Sequence, residues 1–120
     1  KMAVPILRVS SSRAAEAFYC GKLGFKKVFA FRLDPKREDP CYMGLEREGA
    51  VFHVSSFSGD GVLGSAVMIR TSEVDRLHEA FRAAGVDIAL PPTNQDWGSR
   101  EVYVRDPDGN SLRFTAEIPK

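Results

Sequence analysis

The side chains best suited to chemistry lie on one face of two adjoining segments near the end of the sequence. In segments 100–105 and 110–117, apolar and polar side chains alternate, as they do in strands that bury one face. The polar face would carry Glu101, Tyr103 and Arg113, which supply a carboxylate, a phenol and a permanent cation. These groups could hold a ligand through hydrogen bonds and charge. The alternative, a plain solvated sheet face, stays open.

A histidine is the next candidate group. His53 lies in segment 50–55, on the face opposite Phe52 and Val54, so the alternation places it with polar residues. A histidine in that position can act as a general base or contact a ligand at neutral pH. The second histidine, His78, falls in the middle of a predicted helix, where an ordinary polar position is the favoured interpretation.

The elements that position these residues occur twice, about 60 residues apart. Each copy has the pattern of one strand, one helix and three strands, which predicts modules at about 2–56 and 65–117 with a glycine-rich link at 56–64. The helices are predicted at 11–22 and 73–84. Each has a Ser or Thr N-cap candidate, an apolar stripe and a glycine after its end. We therefore expect eight strands and two long helices.

Turn residues connect the last two strands of each module. Glu48 and Gly49 separate the two segments of the first hairpin, and Asp-Pro-Asp-Gly-Asn at 106–110 separates those of the second. Pro107 fixes φ for a turn, and Gly109 can take a positive φ without steric cost. Both connections are therefore predicted to be hairpins.

The composition is that of one small globular protein. The 120 residues carry a net charge of +1, with 43% hydrophobic and 28% charged residues, which is ordinary for such a protein. The scattered basic residues argue against a nucleic-acid partner. No apolar run approaches the ~20 residues of a membrane span, so we expect neither a membrane segment nor a leader. Cys20 and Cys41 are too few for a disulfide framework, which predicts free thiols and a cytoplasmic location.

Three features together resemble the glyoxalase, or vicinal-oxygen-chelate, superfamily. They are the repeated module, the run of residues 7–25 and the Asp-Pro-Asp-Gly-Asn turn at 106–110. Residues 4–7 (Val-Pro-Ile-Leu) and 97–101 (Trp-Gly-Ser-Arg-Glu) are most similar to the bleomycin-resistance proteins. The resemblance implies an α+β fold in which two βαβββ modules form an open curved barrel. It also implies a homodimer with binding crevices at the interface.

The same resemblance allows a test for metal-dependent chemistry. Metal-dependent members of the superfamily hold a divalent ion with four inward residues, typically His, Gln or Glu. The matching positions here are Val4, His53, Ala66 and Arg113. Only His53 could ligate a metal, and the guanidinium would place a permanent cation where the ion belongs. Because a catalytic metal needs about three protein ligands, we expect no metal and no cofactor.

Non-catalytic binding is the activity that the resemblance then implies. Bleomycin-resistance proteins sequester the drug, and its flat aromatic parts lie between aromatic side chains. Tyr42 and Trp97 occupy positions similar to those aromatic residues, and Phe57 is a third candidate for the crevice wall. For Trp97 the alternative is a loop anchor, and for Tyr42 an ordinary strand aromatic. The predicted ligand-binding residues are Tyr42, His53, Phe57, Trp97, Glu101, Tyr103 and Arg113.

Three functions stay open at this stage. The first is a non-catalytic protein that sequesters a bleomycin-type glycopeptide or another planar aromatic antibiotic. The second is a metal-free or atypical lyase, isomerase or dioxygenase of the same superfamily, with His53 as a base near Tyr103 or Glu101. The third is an interaction or structural dimer with a vestigial pocket. The net charge of +1, with Arg113 expected to face the pocket and Arg70 a second candidate, also admits a neutral or anionic planar antibiotic or a metabolite as the ligand.

Overall fold

Eight strands and two helices follow one another in the order that the repeat predicts. The computed structural model describes residues 1–119. The elements are β1 Ile6–Arg8, α1 Ser12–Tyr19, β2 Lys26–Arg32, β3 Cys41–Arg47, β4 Ala50–Ser55, β5 Ala66–Arg70, α2 Val74–Ala83, β6 Ile88–Asn94, β7 Ser99–Arg105 and β8 Ser111–Glu117. The predicted element order is therefore confirmed. Neither helix in this range has the length and apolar character needed to cross a bilayer.

Each half of the chain forms its own four-stranded sheet. The strand order is β1-β4-β3-β2 in the first sheet and β5-β8-β7-β6 in the second. In both sheets the first strand pairs in parallel with the last strand of its module, and the other pairs are antiparallel. The sheets stay unclosed, which confirms the predicted α+β fold of two βαβββ modules in an open curved arrangement.

Each helix begins one residue after its predicted bound, but the predicted Ser or Thr N-cap is present only in the first module. Ser11 is the N-cap of α1, and its hydroxyl accepts a hydrogen bond from the Ala14 N–H at 3.1 Å. In α2 the N-cap is Glu73, which makes no side-chain cap bond, while Thr71 Oγ1 accepts from the Glu73 N–H at 3.1 Å. Both helices are shorter than predicted, at eight and ten residues. The predicted glycine follows the C-cap of α2 directly, as Gly85 with φ 76°, whereas a turn at 20–22 separates α1 from Gly24.

The core lies between each helix and the sheet that it covers. The apolar face predicted for the second hairpin is buried to within 1% exposure at Val102, Val104, Leu112 and Phe114. The first sheet buries the equivalent positions, which are Met43, Leu45, Phe52 and Val54. Full burial of one such side chain contributes about 1.5–3 kcal/mol. The opposite face of each sheet carries no helix, and we call it the helix-free face.

The turn at 106–110 also joins the two modules. The Tyr19 hydroxyl of α1 donates a 2.7 Å hydrogen bond to Asp106 Oδ2. Asn110 Nδ2 donates to the same oxygen and to the backbone carbonyl of Arg8, at 2.8 Å in each case. Burial and the neighbouring Asp106 carboxylate raise the pKa of Tyr19, so its hydroxyl keeps its proton as the donor. The sequence predicted only a hairpin at this place, whereas the structure makes the turn a fixed contact between modules.

Candidate functional site

The predicted site residues fall into two groups, one on each helix-free face. Alternation along β3 and β4 places Tyr42 and His53 opposite the buried core positions. Alternation along β7 and β8 does the same for Glu101, Tyr103 and Arg113. The polar-face prediction from the sequence is therefore correct in its geometry for both hairpins.

The first-sheet group consists of Phe29, Tyr42 and His53. The Tyr42 hydroxyl and His53 Nδ1 lie 2.7 Å apart. Phe29 stacks on Tyr42 with ring centroids 6.1 Å apart, and its ring meets His53 edge-on at 5.3 Å. Burial lowers the pKa of His53, which favours a neutral imidazole. In the tautomer with the proton on Nε2, Nδ1 accepts this hydrogen bond from the Tyr42 hydroxyl. Both polar side chains are thus held in fixed orientations beside an aromatic ring.

Sequence reasoning missed Phe29, and Gly44 explains how its ring fits. Phe29 and Gly44 are register partners in β2 and β3, next to an irregularity that follows Lys27. A Cβ on Gly44 would lie only 2.2 Å from Cε2 of the Phe29 ring. Glycine at position 44 therefore leaves the space that the ring occupies. The aromatic residues at 29 and 31, two apart in a predicted strand region, were the signal that could have identified this surface.

Phe57 lies on the same side as the first-sheet group but contacts other residues. Its ring stacks on Phe31 with centroids 6.2 Å apart. The Arg8 guanidinium donates a hydrogen bond to the Phe57 carbonyl oxygen, which fixes the chain just after β4. Phe31 is 53% exposed, so the Phe31–Phe57 pair presents a second aromatic surface to solvent.

The second-sheet group consists of Trp97, Glu101, Tyr103 and Arg113. Glu101 is only 2% exposed. Its Oε2 accepts a 3.0 Å hydrogen bond from Trp97 Nε1, and its Oε1 accepts a 2.5 Å bond from the Tyr103 hydroxyl. Burial opposes ionisation of Glu101, but these hydrogen bonds outweigh it and hold its pKa below the usual value. The same bond to Glu101 raises the pKa of Tyr103, so the phenol stays the donor.

The cation of the group rests on the tyrosine ring. Arg113 Cζ lies 4.7 Å from the Tyr103 ring centroid, a cation–π contact. Contacts therefore run without a gap from Trp97 through Glu101 and Tyr103 to Arg113. The Trp97 residue is 70% exposed, so its indole is fixed at the N–H and open elsewhere.

A cleft borders the second-sheet group. It has a volume of about 680 Å³ and is lined by Trp97 and Glu101 together with Met68, Arg70, Thr115 and Glu117, among others. Tyr42, His53 and Phe57 lie on the other sheet. Within a single chain, the structure thus assembles each group separately and pairs His53 with Tyr42, not with Tyr103 or Glu101.

The positions that match the superfamily's metal ligands do not fit a divalent ion. Val4 and Ala66 have no side-chain donor atom, and Arg113 is cationic. His53 is the one residue of the four whose side chain can ligate a metal. Across residues 1–119, no three His, Cys, Asp or Glu side chains lie close enough together to hold a metal.

The fold and these faces define a class of protein built from two βαβββ modules with a polar-aromatic face on each sheet. The family model described as "Glyoxalase superfamily protein" matches residues 1–119. The chain therefore belongs to the glyoxalase superfamily. A comparison with curated protein sequences gives no significant match.

Several solved structures have the same fold. The bleomycin-binding protein of bleomycin-producing Streptomyces verticillus, complexed with copper(II)-bleomycin, is 30% identical with a TM-score of 0.72, over 97% of this chain and 95% of that one. A glyoxalase/bleomycin resistance protein/dioxygenase superfamily member from Sphaerobacter thermophilus is 29% identical with a TM-score of 0.74, over 98% of both chains. A bleomycin resistance determinant encoded on transposon Tn5 is 23% identical with a TM-score of 0.77, over 98% of both chains. This last likeness bears on the fold alone.

Proposed function

We propose that the protein binds a planar aromatic antibiotic, of the bleomycin type or another, and sequesters it without chemical change. The observation that carries the proposal is the indole of Trp97, which is 70% exposed while its N–H is bonded to the buried Glu101 carboxylate. A ring fixed in this way has an open surface on which a flat ligand can stack. Such a contact contributes roughly 0.5–1.5 kcal/mol beyond the burial of area.

The first sheet supplies a second aromatic surface for the same ligand. Tyr42 is held by His53 through a 2.7 Å hydrogen bond and by Phe29 through stacking. Aromatic rings that are oriented before binding lose little conformational freedom when a ligand arrives. A planar ligand between the two helix-free faces would contact Tyr42 on one side and Trp97 on the other.

On each face, the residue that could act as a base is already hydrogen-bonded to a neighbouring side chain. This arrangement favours binding over catalysis. A general base must come within hydrogen-bond reach of the proton that it removes. Glu101 is 2% exposed and already accepts two hydrogen bonds. When Nδ1 of the neutral His53 ring accepts from Tyr42, Nε2 carries the proton and no ring lone pair is left to act as a base. We therefore propose a protein that performs no chemical step on its ligand.

We further propose a cytoplasmic homodimer in which the first sheet of one copy faces the second sheet of its partner. The helix-free faces leave Phe29, Phe31 and Met68 exposed by 43%, 53% and 56%. Contiguous exposed apolar surface marks an interaction site, and a two-fold partner is the commonest way to cover it. The assembly would bring a Tyr42 surface and a Trp97 surface together around each ligand.

Calorimetry with a panel of planar antibiotics, bleomycin among them, tests the binding proposal. Trp97→Ala and Tyr42→Ala should each weaken binding by about 1–3 kcal/mol, roughly 5- to 150-fold in dissociation constant. The matched control is Val62→Ala, since Val62 is 73% exposed and lies in the link between modules. Tight binding that neither aromatic substitution affects would contradict the proposed site.

A mixture of two variants tests the assembly. Homodimers of Trp97→Ala and of Tyr42→Ala each have two damaged sites. A mixed dimer would contain one site that lacks both rings and one intact site. Mixing the variants should therefore restore high-affinity binding to about one site in four of the total, if subunits exchange freely. Sedimentation that shows only monomer, or a mixture that binds no better than its components, would contradict the shared site.

A further inference from the structure

The carboxylate of the second-sheet group is closed to a ligand. Glu101 is 2% exposed, and each of its oxygens accepts a hydrogen bond, from Trp97 on one side and from Tyr103 on the other. Its charge is satisfied by donors of the protein itself. A cationic ligand on this face would therefore find no acceptor on Glu101 without breaking these bonds.

The guanidinium of the same group is open. In β8 Arg113 is exposed, and its register partners are Met68 in β5 and Tyr103 in β7. Its position is therefore the middle of the sheet, not its rim. Within residues 1–119, Arg113 takes part in none of the salt bridges or side-chain hydrogen bonds, and its defined contact is the ring of Tyr103.

Arg100, on the same sheet, is an example of a guanidinium whose donors are used within the protein. Arg100 donates two hydrogen bonds to Asp75, at 2.8 and 3.0 Å, and a third to Asn94. Arg113 has the tyrosine ring instead, which holds the guanidinium without using its N–H groups. Five donors in a planar fork match a carboxylate or sulfonate.

Two further charged residues, Arg70 and Glu117, line the cleft. Arg70 lines the cleft beside Trp97, and Glu117 lies at the far end of β8. Neither forms a salt bridge with a described residue. The face therefore holds two guanidinium groups and two carboxylates, and the Glu101 and Arg113 charges attract each other. Because Glu101 is closed, a ligand meets both cations but only the carboxylate of Glu117.

We infer that the ligand is a planar aromatic acid whose carboxylate or sulfonate pairs with Arg113 while its ring lies against Trp97 and Met68. The inference rests on the proposed function, because it specifies the ligand of that same site. It distinguishes the site from one that selects a cationic glycopeptide. The acid would form a charge-assisted, bidentate hydrogen bond at the middle of the second sheet.

Three probes with one ring system and different charge test the inference. They are 2-naphthoate, the neutral 2-naphthamide and the cationic 2-naphthylmethylammonium, each titrated by calorimetry into the full chain. The naphthoate should bind at least about tenfold more tightly than the ammonium compound. Its affinity should fall as sodium chloride rises from about 0.05 M to about 0.5 M. Equal or tighter binding of the ammonium compound would overturn the inference.

Variants of Arg113 assign the effect to the guanidinium. Arg113→Gln should raise the dissociation constant of naphthoate about tenfold and leave that of the naphthamide unchanged within about twofold. Arg113→Lys keeps the charge and should retain part of the naphthoate preference. Arg76→Gln is the control, because Arg76 lies on α2 with an 81% exposed side chain, and thermal unfolding checks that each variant folds. An unchanged ratio of naphthoate to naphthamide in Arg113→Gln would overturn the inference.

The failure of this inference differs from a failure of the proposed function. If bleomycin or another planar antibiotic binds through Trp97 while all three naphthalene probes fail to bind or bind alike, only the acidic-ligand inference falls. If Trp97→Ala and Tyr42→Ala leave the binding of every ligand unchanged, the proposed function falls as well.

Discussion

The first and second sheets share a framework and differ in the chemistry of their helix-free faces. Both have the same strand order and bury equivalent apolar positions under a helix. On the first sheet, the helix-free face holds the stacked rings of Phe29 and Tyr42 next to the neutral imidazole of His53. On the second it holds a buried carboxylate and an exposed guanidinium, Glu101 and Arg113.

The difference teaches that alternation along a strand separates two roles. Side chains on the helix side determine stability, because burial and packing density leave little freedom there. Exposed side chains on the helix-free side, such as Phe31 and Arg113, can be replaced without disturbing the core. The stacked rings of the first face and the carboxylate and guanidinium of the second would offer a ligand between them a different surface on each side.

The largest expected effect comes from the positions where the two sheets are alike. Phe52→Ala and Phe114→Ala should each lower the free energy of unfolding by about 3–5 kcal/mol, since both residues are 1% exposed. Leu33→Ala is the control, and it should change stability by at most about 0.5 kcal/mol because Leu33 is 71% exposed. Urea denaturation measures all three. A loss at one phenylalanine without a similar loss at the other would show that the modules are not equivalent in their cores.

The next effect is specific to the first sheet. Gly44→Ala places a Cβ against the Phe29 ring, and overpacking of this kind costs about 1–3 kcal/mol. The double variant Gly44→Ala/Phe29→Ala removes the clash, so its loss of unfolding free energy should be smaller than the sum of the two single losses. Additive losses would contradict the role assigned to the glycine.

An effect of similar size is specific to the second sheet. Glu101→Ala leaves the donors of Trp97 and Tyr103 without their acceptor and should cost about 1–3 kcal/mol at neutral pH, while Glu101→Gln should cost less. Because the pKa of Glu101 is lowered in the folded state, its stabilising contribution is present above the usual Glu pKa of roughly 4.3. It is lost as the pH falls through the folded-state value. Urea denaturation at several pH values should therefore show that acidification lowers the free energy of unfolding less in Glu101→Gln than in the wild type.

The smallest expected effect concerns the histidine of the first sheet. Burial lowers the pKa of His53, so its contribution to stability is present above the unfolded-state pKa of roughly 6.5 and lost as the pH falls through the folded-state value. An NMR titration should give a pKa below that reference. In Tyr42→Phe, the pKa should rise towards it, because the neutral imidazole loses its hydrogen-bond donor. A wild-type pKa above the reference would contradict the neutral pair.

The sequence predicted most of the fold because its signals are local. Alternating strands, a serine N-cap at the start of α1 and the turns at Glu48-Gly49 and Asp108-Gly109 depend on near neighbours, and the structure contains each of them. The polar faces followed from the same alternation. The predicted Ser or Thr N-cap of α2 was wrong. Glu73 occupies the N-cap position, and Thr71 accepts a hydrogen bond from the Glu73 N–H from two residues before it.

The contacts within the site could not be predicted in the same way. The position of the Phe29 ring depends on an irregularity in the β2–β3 pairing and on Gly44 in the neighbouring strand. The residues next to Phe29 in the sequence indicate neither of them. Trp97 and Glu101 are only four residues apart, but their hydrogen bond depends on how the loop before β7 orients the indole. The link between modules joins Tyr19 to Asp106, which are far apart in sequence. Pairings over such distances are decided by tertiary packing.

The most direct test of sequestration is the chemical identity of the ligand after binding. A planar antibiotic that binds in calorimetry is incubated with wild type, Trp97→Ala and His53→Ala, then released by denaturation and measured by mass spectrometry. We predict an unchanged ligand mass in every case, with a large loss of affinity in Trp97→Ala and a smaller one in His53→Ala. Conversion of the ligand by the wild type that disappears in His53→Ala would contradict sequestration and identify an enzyme.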